Sequence, residues 1–273
     1  QHMPNDQWDL DWVYERQIVE LGVNGVSRKV IVTAGKMALY DALDAATGDY
    51  LFSVDVGLQN IVTAIDPQTG AKTLHPNAIP NSEEGHLLCP FAVGGRNWPS
   101  AAVNPNTKML YVPLAELCMM FGPTSDNPGL LSTGVPMEPR PLPDTDGNFG
   151  RLQAINLETG ELAWNYRETL PPASAALATA GGLVFLGGLN KELRAHDDAT
   201  GEVLWRTELG DIPGSFPISY EVNGRQYIAV VVGQISPFHS SVFLQLMDGF
   251  LGDNNPARDM KRAGPALEVY GLN

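Results

Sequence analysis

Ala195-His-Asp-Asp-Ala-Thr-Gly201, continued by Glu202-Val-Leu-Trp205, is the stretch on which the fold turns. The same pattern stands 41 residues earlier, at Ala154-Ile-Asn-Leu-Glu-Thr-Gly160 with Glu161-Leu-Ala-Trp164. Two more copies, Ala42-Leu-Asp-Ala-Ala-Thr-Gly48 and Ala64-Ile-Asp-Pro-Gln-Thr-Gly70, lie nearer the start. An Asp or Asn followed by Thr-Gly reads as a tight turn, because Gly takes the positive φ that closes two strands into a hairpin. The Trp then enters the next strand, where it packs between neighbouring sheets. A period of about 40 residues is that of a propeller blade.

Working outward, Gly181-Gly-Leu-Val-Phe-Leu-Gly-Gly188 and Gly224-Arg-Gln-Tyr-Ile-Ala-Val-Val-Val-Gly233 read as strands between glycine turns. No stretch carries a convincing amphipathic-helix pattern. The expectation is an all-β chain, a β-propeller, with a β-sandwich as the rival that the repeat length disfavours. Residues 71–96 and 119–150 interrupt the repeat with Pro, Gly and Asn, and such insertions gather on one face and carry function. The polar tail, 251–273, is expected to wrap the surface.

Composition sets the bounds. The chain has 273 residues, 44% hydrophobic and 18% charged, with 28 Gly and 21 Pro. That suits an ordinary globular, turn-rich protein. Thirty-one acidic residues outweigh 17 basic ones, for a net charge of −14. Such a surface repels phosphate backbones, so nucleic acid is not an expected partner; it serves solubility or steers a basic protein. No apolar run approaches the roughly 18 residues that span a bilayer. The opening Gln1-His2-Met3-Pro4 reads as a fragment or as a chain cut from a longer precursor. Two cysteines, Cys89 and Cys118, are compatible with one disulfide or with two separate buried thiols. The five histidines show no metal-ligand spacing, and there is no Cys-x-x-Cys-His for covalent haem. Gly-x-Gly-x-x-Gly after a strand, Gly-x-Ser-x-Gly and a P-loop are likewise missing.

Local motifs are more specific. Pro4-Asn-Asp-Gln-Trp-Asp-Leu-Asp11, Ala34-Gly-Lys-Met-Ala-Leu-Tyr40 and Cys89-Pro-Phe-Ala-Val-Gly-Gly-Arg-Asn-Trp-Pro99, the last followed by Asn104-Pro-Asn-Thr-Lys-Met-Leu-Tyr-Val-Pro113, occur in this order. Together they resemble the pyrroloquinoline-quinone (PQQ)-dependent alcohol dehydrogenases, over about residues 1–247. The resemblance implies an eight-bladed propeller, of which residues 1–273 would form a single partial domain, roughly the C-terminal half. It also implies oxidation of an alcohol to an aldehyde or ketone, with electrons passed to a cytochrome c or a quinone, in the periplasm.

By this resemblance Asp9 is the general base that takes the alcohol proton. A carboxylate suits that role because it can also sit beside a metal cation that keeps it ionised. Asp9 and Asp11 would share the metal. Asp11 matches the additional aspartate of the lanthanide-using branch, and one more anionic oxygen favours a trivalent cation over Ca²⁺. Lys36 would set a fixed positive charge against the quinone oxygens. Its neighbours Met37-Ala38 replace the usual Asn-Gly. Asn97 and Trp98 match the pair that contacts the cofactor, as hydrogen-bonding amide and apolar wall. The resemblance pairs Cys89 with Cys118 in a disulfide.

Each residue also has a plainer reading: solvated aspartates, a surface lysine, a structural Trp between blades. Residues matching the family's remaining metal ligands and its adjacent-cysteine disulfide are expected upstream, so the chain alone is expected to be inactive. A non-catalytic propeller scaffold with similar turns is the alternative in another functional class. The substrate pocket would draw on Met119-Met-Phe121 and on 122–150, and the resemblance leaves room for a homodimer.

Overall fold

The structure is a computed structural model that describes residues 2–81, 83–124, 134–233 and 239–271, so residues 125–133 of the expected substrate-pocket loop lie outside the description. It divides into two compact units: residues 1–97, 115–146 and 157–160, and residues 98–114, 147–156 and 161–273.

In the first unit Arg16–Val23, Val26–Ala34, Leu39–Asp44 and Tyr50–Asp55 form an antiparallel sheet in sequence order. Val62–Ile65 pairs with Lys72–Leu74, and Leu117–Phe121 lies between His86–Leu88 and Met137–Pro141. In the second unit Ala102–Asn104, Met109–Ala115, Gly150–Asn156 and Leu162–Glu168 make one four-stranded sheet. Leu177–Ala178, Leu183–Gly187, Glu192–Asp197 and Val203–Glu208 make the next, and Ile218–Val222, Arg225–Val232 and Ala266–Gly271 a three-stranded third.

All four repeat copies are hairpin turns, and each carries a register shift at its entrance. Their chemistry is local. The Asp197 carboxylate accepts from the backbone N–H groups of Ala199 and Thr200 at 3.0 and 2.8 Å and from the Thr200 hydroxyl at 3.0 Å. Asp66 and Asp44 do the same for their turns. Hydrogen bonds from the turn backbone hold all three carboxyls below their ordinary value.

The turn glycine serves a second purpose. Gly201 has φ +77°, and a Cβ there would fall 2.5 Å from the Trp164 ring. Trp164 thus lies flat against the backbone of the next copy's turn, its indole N–H donating to the Asp198 carbonyl at 3.0 Å. Tyr50 occupies the same place beneath Gly70. Behind these rings the sheets stack. Tyr111, Leu152, Ala154, Trp164, Val184 and Leu186 form one core, and Phe185, Leu193, Ala195, Ile228 and Val230 the next.

Two expectations are corrected. His239–Leu251 is an α-helix, which buries Phe243 and Met247, one turn apart. The nearly continuous apolar run Val242–Met247 hides that period in the sequence. The tail does not simply wrap the surface: Ala266–Gly271 pairs with Arg225–Val232, Leu267 and Val269 alternating with Glu268 and Tyr270. Cys89 and Cys118 do form a disulfide, closing a loop of sequence separation 29.

Three outcomes follow from this packing. Gly201→Ala combines a positive-φ penalty with a clash against Trp164 and is expected to cost on the order of 2–4 kcal/mol by urea denaturation. Asp197→Ala is expected to lower the denaturation midpoint at pH 7. Because the folded carboxyl titrates below the unfolded one, the stabilisation exists above the unfolded value and disappears as pH falls through the folded value. The gap from the parent protein should therefore close toward pH 2. Replacing Cys89 and Cys118 by Ser is expected to cost about 2–4 kcal/mol under non-reducing conditions, where equal midpoints would refute a stabilising crosslink.

Candidate functional site

Asp9 and Asp11 sit on a short loop anchored on both sides. Trp8 is buried and its indole donates to the Ala78 carbonyl at 2.8 Å; Trp12 donates to the Thr33 hydroxyl at 2.8 Å. Leu10, between the two aspartates, is also buried. With these side chains fixed inward, the aspartates face the other way. Asp9 takes a left-handed conformation, φ +58°.

The loop lies against the end of the strand Val26–Ala34. The Lys36 N–H donates to the Asp11 carbonyl at 2.9 Å, and a Cβ on Gly35 would fall 2.5 Å from that same oxygen. Only glycine permits this approach. Ala38 has φ +58° and donates to the Gly35 carbonyl at 3.1 Å, so the turn after Lys36 is retained with Ala where relatives of the resembled family carry Gly.

This folding places the Lys36 ammonium between the two acids. Its Nζ lies 3.1 Å from Asp9 Oδ2, 2.9 Å from Asp11 Oδ2 and 2.7 Å from the Asp9 carbonyl. The lysine side chain is 6% exposed, against 27% for Asp9 and 46% for Asp11, so the cation is the buried partner. Burial raises the Asp9 carboxyl above its ordinary value; the Lys36 charge and hydrogen bond pull it back, and Asp11 and Asp6 push it up. The group is a half-buried acid–ammonium–acid cluster, in which the lysine offsets the repulsion of two neighbouring carboxylates.

A third segment closes over Lys36. The Gly95 N–H donates to the Lys36 carbonyl at 2.8 Å, and a Cβ on Gly94 would come within 2.9 Å of the Lys36 Cβ. Asn97 is buried, and its amide donates to the Val93 carbonyl at 2.8 Å. That bond folds the Val93–Asn97 stretch into a turn. Asn97 therefore joins Asp9, Asp11 and Lys36 in one unit. Trp98 begins the other unit and is 57% exposed. The Cys89–Cys118 bridge lies in the first unit at the foot of the Pro90–Asn97 segment, and Phe91 N–H bonds to the Leu117 carbonyl beside it.

The donor set suits the groups implied by the resemblance. Two carboxylates that already converge on a cation are hard oxygen donors fit for a hard metal ion, and a buried ammonium suits quinone oxygens. The glycine at 94 lets the backbone press directly against the Lys36 side chain, where any larger residue would clash. The set is partial, since no group of three or more His, Cys, Asp or Glu able to hold a metal occurs among the described residues. Sequence reasoning passed over Arg96, although it stands between Gly95 and Asn97 in the most specific motif. An arginine set directly between a glycine pair and Asn97-Trp98 was the available signal.

The chain is similar in sequence and in fold to known proteins. The family model for the glucose/ethanol/alcohol dehydrogenase (PQQ) β-propeller domain matches residues 119–228. The lanthanide-dependent methanol dehydrogenase of Methylorubrum extorquens is 30% identical over 246 residues, covering 85% of this chain and 41% of that one. A europium-containing methanol dehydrogenase superposes with a TM-score of 0.84 at 24% identity, covering all of this chain and 50% of the other. The quinohemoprotein alcohol dehydrogenase of Comamonas testosteroni superposes at 0.75 with 26% identity, over 85% of this chain and 36% of its own. The chain thus spans half or less of the proteins it matches. It is a relative of the PQQ-dependent alcohol dehydrogenases, and its fold is a part of their β-propeller.

Proposed function

We propose that this chain is the part of a PQQ-dependent alcohol dehydrogenase that carries its general base. The observation that carries the reading is the convergence of Asp9 and Asp11 on the Lys36 ammonium, at 3.1 and 2.9 Å. In the proposal residues 1–273 are a single partial propeller domain, and further metal ligands come from chain beyond it.

Asp9 is the base: its carboxylate takes the hydroxyl proton of the alcohol. Asp11 and Asp9 together hold a Ca²⁺ or lanthanide ion, and the paired charge of Asp11 favours the lanthanide. Lys36 directs its charge to the cofactor oxygens, where negative charge develops, and its burial keeps that charge from being screened. Asn97 orients the same edge and Trp98 supplies an apolar wall. When bound, PQQ supplies the electrophilic carbonyl that accepts hydride from the alcohol carbon. The loop of Asp9 is pinned by Trp8 and Trp12, which keeps the base in place without help from the metal. Met119 and Phe121, candidates for the substrate pocket, are buried in their sheet.

The electrons then leave to a cytochrome c or a quinone, for which an acidic chain of net charge −14 is a suitable docking partner if the acceptor is basic. The Cys89–Cys118 disulfide supports an oxidising compartment, the periplasm.

The test is Asp9→Ala in the full-length protein loaded with PQQ and metal. Loss of about 10²–10⁴ in kcat is expected for removal of a general base. Unchanged alcohol oxidation would dismiss the assignment and favour a scaffold role. The 273-residue chain alone is expected to show no PQQ-dependent oxidation, and detectable turnover would show that no upstream ligand is needed. Metal analysis of protein from cells grown with and without lanthanides identifies the ion.

A further inference from the structure

Arg96 is the most enclosed charge near the candidate site, its side chain fully buried. One guanidinium nitrogen, Nη1, donates to the Ala34 carbonyl at 2.7 Å. The other, Nη2, pairs with the Glu15 carboxylate. The guanidinium plane lies over the Tyr14 ring, 5.0 Å from its centroid, and near Tyr40 at 5.9 Å. These contacts join two separate pieces of chain. Ala34 ends the strand that leads into Gly35-Lys36. Tyr14 and Glu15 end the loop that carries Asp9 and Asp11. A third piece is Arg96 itself, one residue from Gly95, whose N–H bonds the Lys36 carbonyl.

Lys36 thus reaches its two acids from a strand whose end is held by Arg96, while the acids sit on a loop whose exit is held by the same guanidinium. The fork geometry matters: a planar group with parallel donors can bridge a carbonyl and a carboxylate at fixed spacing, whereas a lysine makes a point contact with one of them. A buried cation of this kind is costly to leave half-paired, so its partners are drawn to it.

We propose that Arg96 is the positioning residue of the acid–ammonium–acid cluster: by tying Ala34 to Glu15 it holds Lys36 between Asp9 and Asp11. The proposal rests on reading those three residues as the site, but its test does not.

The test is the accessibility of the Lys36 amine in the full-length protein. Acetylation with N-hydroxysulfosuccinimide acetate is followed residue by residue by mass spectrometry. Lys72 and Lys191, whose side chains are 2% and 9% exposed, serve as internal references, since each is buried against its own acid, Asp41 and Glu208. In Arg96→Lys, Lys36 is expected to label about tenfold faster, the equivalent of 1.4 kcal/mol of local loosening, with Lys72 and Lys191 unchanged. If Lys36 stays as slow as in the parent, or if all three lysines speed up together, the positioning role is overturned. Glu15→Gln, which keeps the bond to Ala34, is the second variant should Arg96→Lys fail to fold. It is expected to raise Lys36 labelling several-fold, and an unchanged rate would count against the proposal in the same way. Alcohol oxidation measured on the same samples separates the two readings. Faster Lys36 labelling with undiminished kcat upholds Arg96 as the positioning residue and removes Lys36 from the chemistry.

Discussion

The Trp164 ring lies against the backbone of Gly201, and the architecture of the second unit depends on that contact. A hairpin turn capped by its own Asp is stable on its own terms, because the Asp197 carboxylate satisfies two backbone N–H groups that the turn leaves open. Such a turn does not say where the next sheet goes. The indole does, since it fills the space that a side chain on Gly201 would need and donates to the turn's own carbonyl. One residue type, glycine, therefore serves two demands at once: a positive φ for the hairpin and a flat surface for the ring. Tyr50 and Gly70 repeat the device in the first unit with a different aromatic. The stacking of Tyr111, Leu152 and Val184 follows from sheets held at this spacing.

Charge is handled differently from apolar surface. Several buried ions among the described residues occur in pairs or larger groups. Asp41 accepts from His2 at 2.7 Å, Lys72 at 2.5 Å and Ser53 at 2.6 Å; burial raises its carboxyl, but these bonds outweigh it and the group lies below its ordinary value. Arg194 pairs with both Glu168 and Glu192. At Asp41 the attraction outweighs the desolvation that an isolated ion would suffer, whereas at Glu168 burial wins over the Arg194 charge and leaves the carboxyl above its ordinary value. The cluster at Asp9, Asp11 and Lys36 shares the two-acids-on-one-cation pattern of Arg194 but leaves both acids partly exposed. Two partly exposed carboxylates on one buried ammonium leave an excess of negative charge next to solvent, which suits the proposed cation site.

His196 illustrates the opposite solution. It is fully buried, bonds the Gly201 carbonyl at 3.0 Å through Nδ1, and packs edge-on to Tyr166. Burial holds it down to about 4, so it is a neutral core residue that supports the same turn as Trp164. The histidine in the repeat's second position is thus part of the scaffold, in keeping with the lack of metal-ligand spacing in the sequence.

The repeat, its turns and the strand character of nearly every segment were determined by the sequence alone, because each depends on residues a few positions apart: Asp with Thr-Gly, Gly with β-branched runs. The candidate residues were also named there, by resemblance. Tertiary structure decided what no local pattern encodes. Lys36 meets Asp9 across 27 residues and Arg96 meets Glu15 across 81, and neither partner leaves a mark near the other in sequence. The helix His239–Leu251 was hidden because its apolar face is continuous with flanking apolar residues, and only burial of Phe243 and Met247 selects the helical period. Local hydrogen bonding and φ preference are written residue by residue. The grouping of charges is a property of how strands and loops pack, since it depends on distances that only the folded chain sets.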